Sequence, residues 1–231
     1  MRTVKINNKE YQLPESWNEV SIGKFQAFSK IDAEDELDKL LQIVSVLGNI
    51  PIDTLESITY TELNKLYGLI TFITEEVGDK TYFKINIKGK DYGLDYEWKS
   101  MKAKTYIDLD SLMQDKNKVI DNLHLIAAIL FRPIIDNKKE VILEDYNYKL
   151  LEENGRFMQD NMMISQFLPV LFFFSKLNLN LLQHSVDSLV ETIQPKRKSL
   201  IKRVIHLVKG GVGLMRFIHS LKIILRIVKR G

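Results

Sequence analysis

The sequence predicts an α+β fold, mainly helical, built from two related β-hairpin-plus-helix modules and a basic C-terminal helical arm. Three observations carry that expectation. Short runs of alternating apolar and polar residues turn back on themselves at Asn7-Asn8 and at Lys88-Gly89. Longer stripes of apolar residues recur three and four positions apart, the spacing of one helix face. Both patterns then return later in the chain at a nearly constant offset. With 231 residues, 45% hydrophobic and 27% charged, the chain can fill a real core, and a disordered or collagen-like polymer is excluded.

In the first module (residues 1–80), Val4 and Ile6 alternate against Tyr11 and Leu13. A stripe of Leu37, Leu40, Leu41, Val44 and Leu47 follows, with Asp35 or Asp32 placed to cap its start. A further helix is expected over about Thr61 to Glu76 from Leu63, Leu66, Tyr67, Ile70 and Ile73. In the second module (81–194), Phe83, Ile85 and Ile87 run into the turn, and Tyr92 and Leu94 return. Its stripe is Val119, Ile120, Leu123, Ile126, Ala127 and Leu130, ending near Arg132-Pro133 because proline disfavours helix before it. A polar helix over Glu144 to Met163 and an apolar one over Ile164 to Leu182 are expected next. Tyr11, Leu13, Trp17, Phe25, Phe28 and Ile31 match Tyr92, Leu94, Trp98, Tyr106, Leu109 and Leu112 at an offset of 81. The offset becomes 83 at Leu40 to Leu123 and 82 at Pro51 to Pro133. Duplication and divergence of one module explains this register, with Trp17 and Trp98 as pins between hairpin and helix. Phe172-Phe173-Phe174 would ring a helix, so part of that surface must face another element or another chain.

Net charge divides the chain more sharply than composition does. The total is +3, yet residues 196–231 hold eleven Lys/Arg and no Asp/Glu, which leaves −8 on residues 1–195. The arm (195–231) reads as helix, glycine break at Gly210, Gly211 and Gly213, and second helix. Leu214, Phe217, Ile218, Leu221 and Leu225 supply the apolar anchors of that second stripe, and Arg216, Lys222 and Arg226 its charged rim. Such a segment can lie on an anionic membrane, on nucleic-acid phosphates, or on protein. The acidic body favours protein, since opposed fields steer and register subunits. Nucleic acid is the weaker option, because the arm has one aromatic residue and no binding motif.

Signals for chemistry are missing. The sequence has no cysteine, which excludes disulfides, thiolate metal sites and a cysteine nucleophile. His124, His184, His206 and His219 have no metal-ligand spacing, and His124 reads as a core or rim residue. The run Asp32, Glu34, Asp35, Glu36, Asp38 lacks the glycine and spaced ligands of a calcium loop and reads as a negative helix start. Asp108 and Asp110 read as caps. The glycines of the arm lack the Lys-Ser/Thr of a phosphate loop. The expectation is therefore no catalytic, cofactor-binding or metal-binding residue, no cofactor, no small-molecule substrate and no enzyme. No secretory signal and no uninterrupted spanning segment is visible, so the expected place of assembly is the cytoplasm.

Several segments together carry a resemblance. They are Tyr11-Gln12-Leu13-Pro14 with Trp17-Asn18-Glu19-Val20-Ser21-Ile22, Tyr106-Ile107-Asp108-Leu109, His124 through Pro133, and Pro169-Val170-Leu171-Phe172-Phe173-Phe174. Over residues 1–182 the order of these features resembles that of tail-assembly, baseplate- or neck-associated proteins of tailed bacteriophages. That resemblance implies a non-enzymatic structural component of the virion, assembled in the host cytoplasm, with other virion proteins and copies of itself as partners. The arm lies outside the pattern and suits a permanent virion component better than a transient tail-assembly chaperone. The alternatives are that chaperone role and a peripheral membrane-binding protein using the cationic arm.

Overall fold

Both hairpins are dictated by their turn residues. The structure, a computed structural model, describes residues 1–96, 101–115, 118–136 and 140–173. Strands β1 (Arg2–Ile6) and β2 (Lys9–Leu13) pair antiparallel with Val4 opposite Tyr11 and Ile6 opposite Lys9. Asn7 and Asn8 both take left-handed backbone (φ 49° and 63°), which asparagine tolerates and a two-residue hairpin turn requires. The chain then makes a single 3-10 turn at Trp17–Glu19, and Trp17 is buried. Its ring meets Phe25 (5.9 Å), Phe28 (6.1 Å) and Phe72 (5.2 Å) edge to face, and its Nε1 donates to the Glu75 carbonyl (3.2 Å).

Three helices follow closely. The Ser21 hydroxyl caps α1 (Ile22–Phe28). For α2 (Glu36–Gly48) the cap is Asp35, whose carboxylate accepts from the Leu37 and Asp38 amides (2.8 and 3.1 Å). Asn49, at φ 51°, ends α2 in the left-handed conformation, and Lys24 Nζ donates to the freed Leu47 carbonyl (2.5 Å). Short α3 (Ile52–Glu56) leads into α4 (Tyr60–Gly68), started by a reciprocal Thr59–Glu62 capping box. The single helix expected over 61–76 is instead α4 and a separate 3-10 turn at Thr71–Thr74. The reason is Phe72. At about 100° per residue an unbroken helix would aim it about 180° away from Leu63. The break lets both be buried, with Phe72 against Trp17.

The second half begins the same way. Strands β3 (Lys84–Ile87) and β4 (Lys90–Leu94) turn at Lys88 (φ 51°) and Gly89 (φ 82°), with Asn86 Oδ1 accepting from the Gly89 amide (3.1 Å). At an offset of 81, β4 coincides with β2 residue for residue, and α5 (Ala103–Gln114) starts where α1 does. Helix α6 (Leu123–Leu130) then ends three residues before Pro133. Beyond this point the halves part. Pro51 precedes α3, whereas Pro133 lies inside β5 (Phe131–Asp136), opposite Tyr92 of β4. Proline is accommodated there because its carbonyl makes the next link, accepting from the Glu144 amide (2.8 Å). Two-residue β6 (Ile142–Leu143) completes a sheet of order β3-β4-β5-β6. Neither β5 nor β6 was expected, since Ile126 to Ile135 is one apolar run, broken only by Arg132, without a visible change of period.

Residues 144–163 also differ from the expected single helix. They form an extended stretch, a 3-10 turn at Tyr148–Leu150, and α7 (Leu151–Asn161). Asp108 and Asp110 lie inside α5 and cap nothing. Asp108 accepts from Lys104 Nζ (2.6 Å) and Tyr146 Oη (2.8 Å), and Asp110 from Gln114 (2.8 Å). Helix α8 occupies described residues 164–173 of the expected 164–182. Trp98 and Phe174 lie outside the described residues, while Phe172 and Phe173 pack on the core.

One hydrophobic core runs through both modules, from Ile6 to Leu171. Its tightest seam joins the start of α1 to the α7–α8 junction. The Ile22 amide donates to the Met162 carbonyl (3.0 Å), and the Ile164 amide to that of Val20 (2.8 Å). At the end of α2, a methyl group on Gly48 would fall 2.7 Å from Leu13 Cδ2 and 2.8 Å from Ile50 Cδ1, both fully buried. Gly48→Ala is therefore expected to destabilise by about 1–2 kcal/mol, overpacking outweighing the gain of about 1 kcal/mol in helix propensity. Urea unfolding should show a lower midpoint at unchanged slope.

Candidate functional site

Three polar or aromatic constellations stand out in the described chain, and two of them are structural. The first centres on Gln26, which α1 drives into the core with 4% exposure. Its Nε2 lies 2.7 Å from the Ile120 carbonyl, 2.8 Å from that of Asp121 and 3.1 Å from His124 Nδ1. Its Oε1 accepts from Gln159 Nε2 of α7 (2.8 Å). Carbonyls only accept, so they fix which end of the amide faces them. His124 Nδ1 is the third neighbour of an amide nitrogen that carries two protons. Burial pushes the His124 pKa below its ordinary value, against the opposing pull of Glu152 and Asp121. His124 is thus a satisfied rim residue, as its sequence context suggests.

The second constellation fastens residues 144–148 to the sheet. Arg132 and Asp95, both largely buried, form an ion pair, and Arg132 Nη1 also donates to the Glu144 carbonyl (2.7 Å). Asp108 receives Tyr146 Oη and Lys104 Nζ. Burial opposes ionisation of Asp108, but these two donors hold its carboxyl below the usual range. The same burial, with the Asp108 carboxylate, pushes the Tyr146 phenol well up. A cavity of about 140 Å³ lies between β4, β5 and α7, with Tyr92 and Phe157 stacked at 5.9 Å on its wall. Its charged groups are largely spent on these internal contacts, and nothing there is arranged as nucleophile, base and orienting partner.

The third is an exposed corner, aromatic and acidic. Phe83 and Tyr96 are 50% and 46% exposed, their rings meeting edge to face at 5.2 Å. Phe173, the last described residue of α8, reaches Phe83 at 6.3 Å. Residues 75–83, which lead into β3, form an irregular connector that presents Glu75, Glu76 and Asp79 to solvent, none in an ion pair among the described residues. The one cation of that connector, Lys80, lies over the Tyr82 ring (5.0 Å). A cleft of about 210 Å³ separates the connector from Trp17 and from Ser165 of α8. Alternation placed Phe83 with Ile85 and Ile87, which are buried. Phe83 differs in lying at the outer end of that pairing, where its carbonyl accepts from the Leu94 amide (2.9 Å) and its ring stays half exposed.

The residues assigned to partner binding from the sequence lie outside the described residues: Leu214, Phe217, Ile218, Leu221, Leu225, Arg216, Lys222 and Arg226. Among the described residues no group of three His, Asp or Glu side chains is placed to hold a metal ion, the 32–38 run included. No helix among them is long and apolar enough to cross a membrane. No family model, curated protein or solved structure matches the chain.

Removing the Gln26 amide would orphan buried acceptors, so Gln26→Leu is expected to cost about 1–3 kcal/mol in chemical unfolding. The His124 contribution has a defined sign. Its native pKa lies below that of the unfolded chain, so the native state binds fewer protons. This contribution is fully present above an ordinary value of about 6.5 and is lost as pH falls below it. Unfolding measured from about pH 7.5 down to pH 5 should show wild type weakening, and His124→Gln, which keeps an acceptor without titrating, should be flatter over that window.

Proposed function

We propose that this chain is a non-enzymatic structural component of a tailed-phage particle or of its assembly, in the tail, neck or baseplate region. It holds other virion proteins and copies of itself through its basic arm. The observation that carries the reading is the division of charge, −8 on residues 1–195 against eleven uncompensated cations on residues 196–231. Opposite fields of that size attract the arm of one molecule to the body of a neighbour and orient it before contact. Such an interface joins two different patches, so it is heterologous and propagates into rings or stacks. In the body, the side chains of Gln26, Asp95, Arg132 and Asp108 are engaged in contacts between its elements. The order of hairpins, tryptophans and apolar helices that resembles phage tail and neck proteins adds the setting.

The test uses the full chain. Sedimentation velocity should show assembly that weakens as NaCl rises from about 50 to 500 mM, because exposed charge attraction is screened. Lys222→Glu with Arg226→Glu should weaken it at least tenfold, and electron microscopy of the low-salt sample should show repeating closed or stacked oligomers. Flotation with vesicles rich in anionic lipid tests the membrane alternative. A monomer at every salt concentration, or arm-dependent flotation without assembly, would overturn the proposal.

A further inference from the structure

We infer that the receptor for the arm is the aromatic and acidic corner of a second copy, formed by Phe83 and Tyr96 with Glu75, Glu76 and Asp79. The inference rests on the proposed function and names the surface that it requires. An amphipathic cation needs two things from its receptor, apolar area for one face and carboxylates along its edge. The connector that carries Glu75, Glu76 and Asp79 leads directly into Phe83, whose ring meets that of Tyr96. Phe83 and Tyr96 are half exposed and meet ring to ring, so together they present a joined apolar surface. The adjoining connector carries three carboxylates that no cation of the described chain engages. The cleft beside Trp17 gives the surface a concave edge.

Residues 32–38, also acidic, are a poorer receptor. Asp35 is committed to capping α2, and the only large apolar side chain strongly exposed there is Leu37, at 44%. No cleft lines it. Position in the chain also favours the corner. Helix α8 delivers Phe173 to it, and the arm begins 22 residues later. Those residues, fully extended, span at most about 75 Å. That reach is long enough for the arm to meet this corner on a neighbouring molecule. A head-to-tail contact of this kind repeats without limit until rotation closes it.

Charge exchange tests the pairing in full-length protein. The body variant carries Glu75→Lys, Glu76→Lys and Asp79→Lys, and the arm variant carries Lys222→Glu and Arg226→Glu. Each alone is expected to lose assembly at least tenfold by sedimentation velocity at low salt. Mixed in equal amounts they should recover it, because each wild-type arm then finds a wild-type body and each reversed arm a reversed one. Recovery on mixing also shows that both variants are folded. Phe83→Ala with Tyr96→Ala should weaken assembly without altering its salt dependence. If only a chain carrying both sets of reversals recovers and the mixture does not, the arm docks within its own chain and the inference falls. If the arm variant loses assembly and the body variant does not, the arm docks elsewhere, so the inference falls while the proposed function stands. If neither loses assembly, both fall.

Discussion

The architecture depends on one buried amide. Gln26 sits where three separately folded pieces meet, the first helix of the N-terminal module, the entry to α6 and the face of α7. An amide in that position is costly unless its donor and acceptor are both used, and here they are. The cost of misplacing it makes the arrangement specific. Sliding α7 by one turn would strand Gln26 Oε1, and rotating α6 would strand its nitrogen. The exchanged backbone bonds of Val20 and Ile22 with Met162 and Ile164 act along the same seam. Two halves that begin alike are thereby locked into one core instead of remaining two small domains of doubtful independent stability.

The seam also explains why the halves part after α2 and α6. In the first, Pro51 opens a helical continuation that covers Trp17 with Phe72. In the second, the chain runs straight out of α6 as β5 and enlarges the hairpin into a four-stranded sheet. Gly93 of β4 makes room for this, since a methyl group there would meet Leu143 Cδ2 at 2.5 Å. Arg132, Asp95, Tyr146 and Asp108 then tie the returning segment down. Polar side chains that could have suggested a reactive centre are thus accounted for by architecture.

How much of this could be read from residues alone varied with the range of the interaction. Asn7-Asn8 and Lys88-Gly89 announced their turns, because positive φ is a demand on the turn residues themselves. Competition between Asp32 and Asp35 for the α2 cap was left open, because both are chemically able and only the helix start decides. Leu63 to Ile73 looked like one helix because its spacing allowed it. Phe72, the residue off the stripe, carried the contrary signal. Glu75, Glu76, Asp79 and Phe83 fall within nine residues, but the alternation grouped Phe83 with Ile85 and Ile87 and no periodic signal singled out Tyr96. Gln26 gave no sign at all, since a glutamine in an amphipathic helix is ordinarily solvated.

By itself the sequence determined the hairpins, the apolar stripes, the recurrence of one pattern and the division of charge. Each is set by neighbours within a turn or two of chain, or by simple counting. The tertiary structure alone decided that an apolar run after Leu130 is strand, that α4 breaks so Phe72 can reach Trp17, and that Asp108 serves Tyr146 instead of a helix end. Those outcomes depend on partners tens of residues away. An apolar segment is stable as helix or strand according to which neighbour buries it, and local spacing does not name that neighbour.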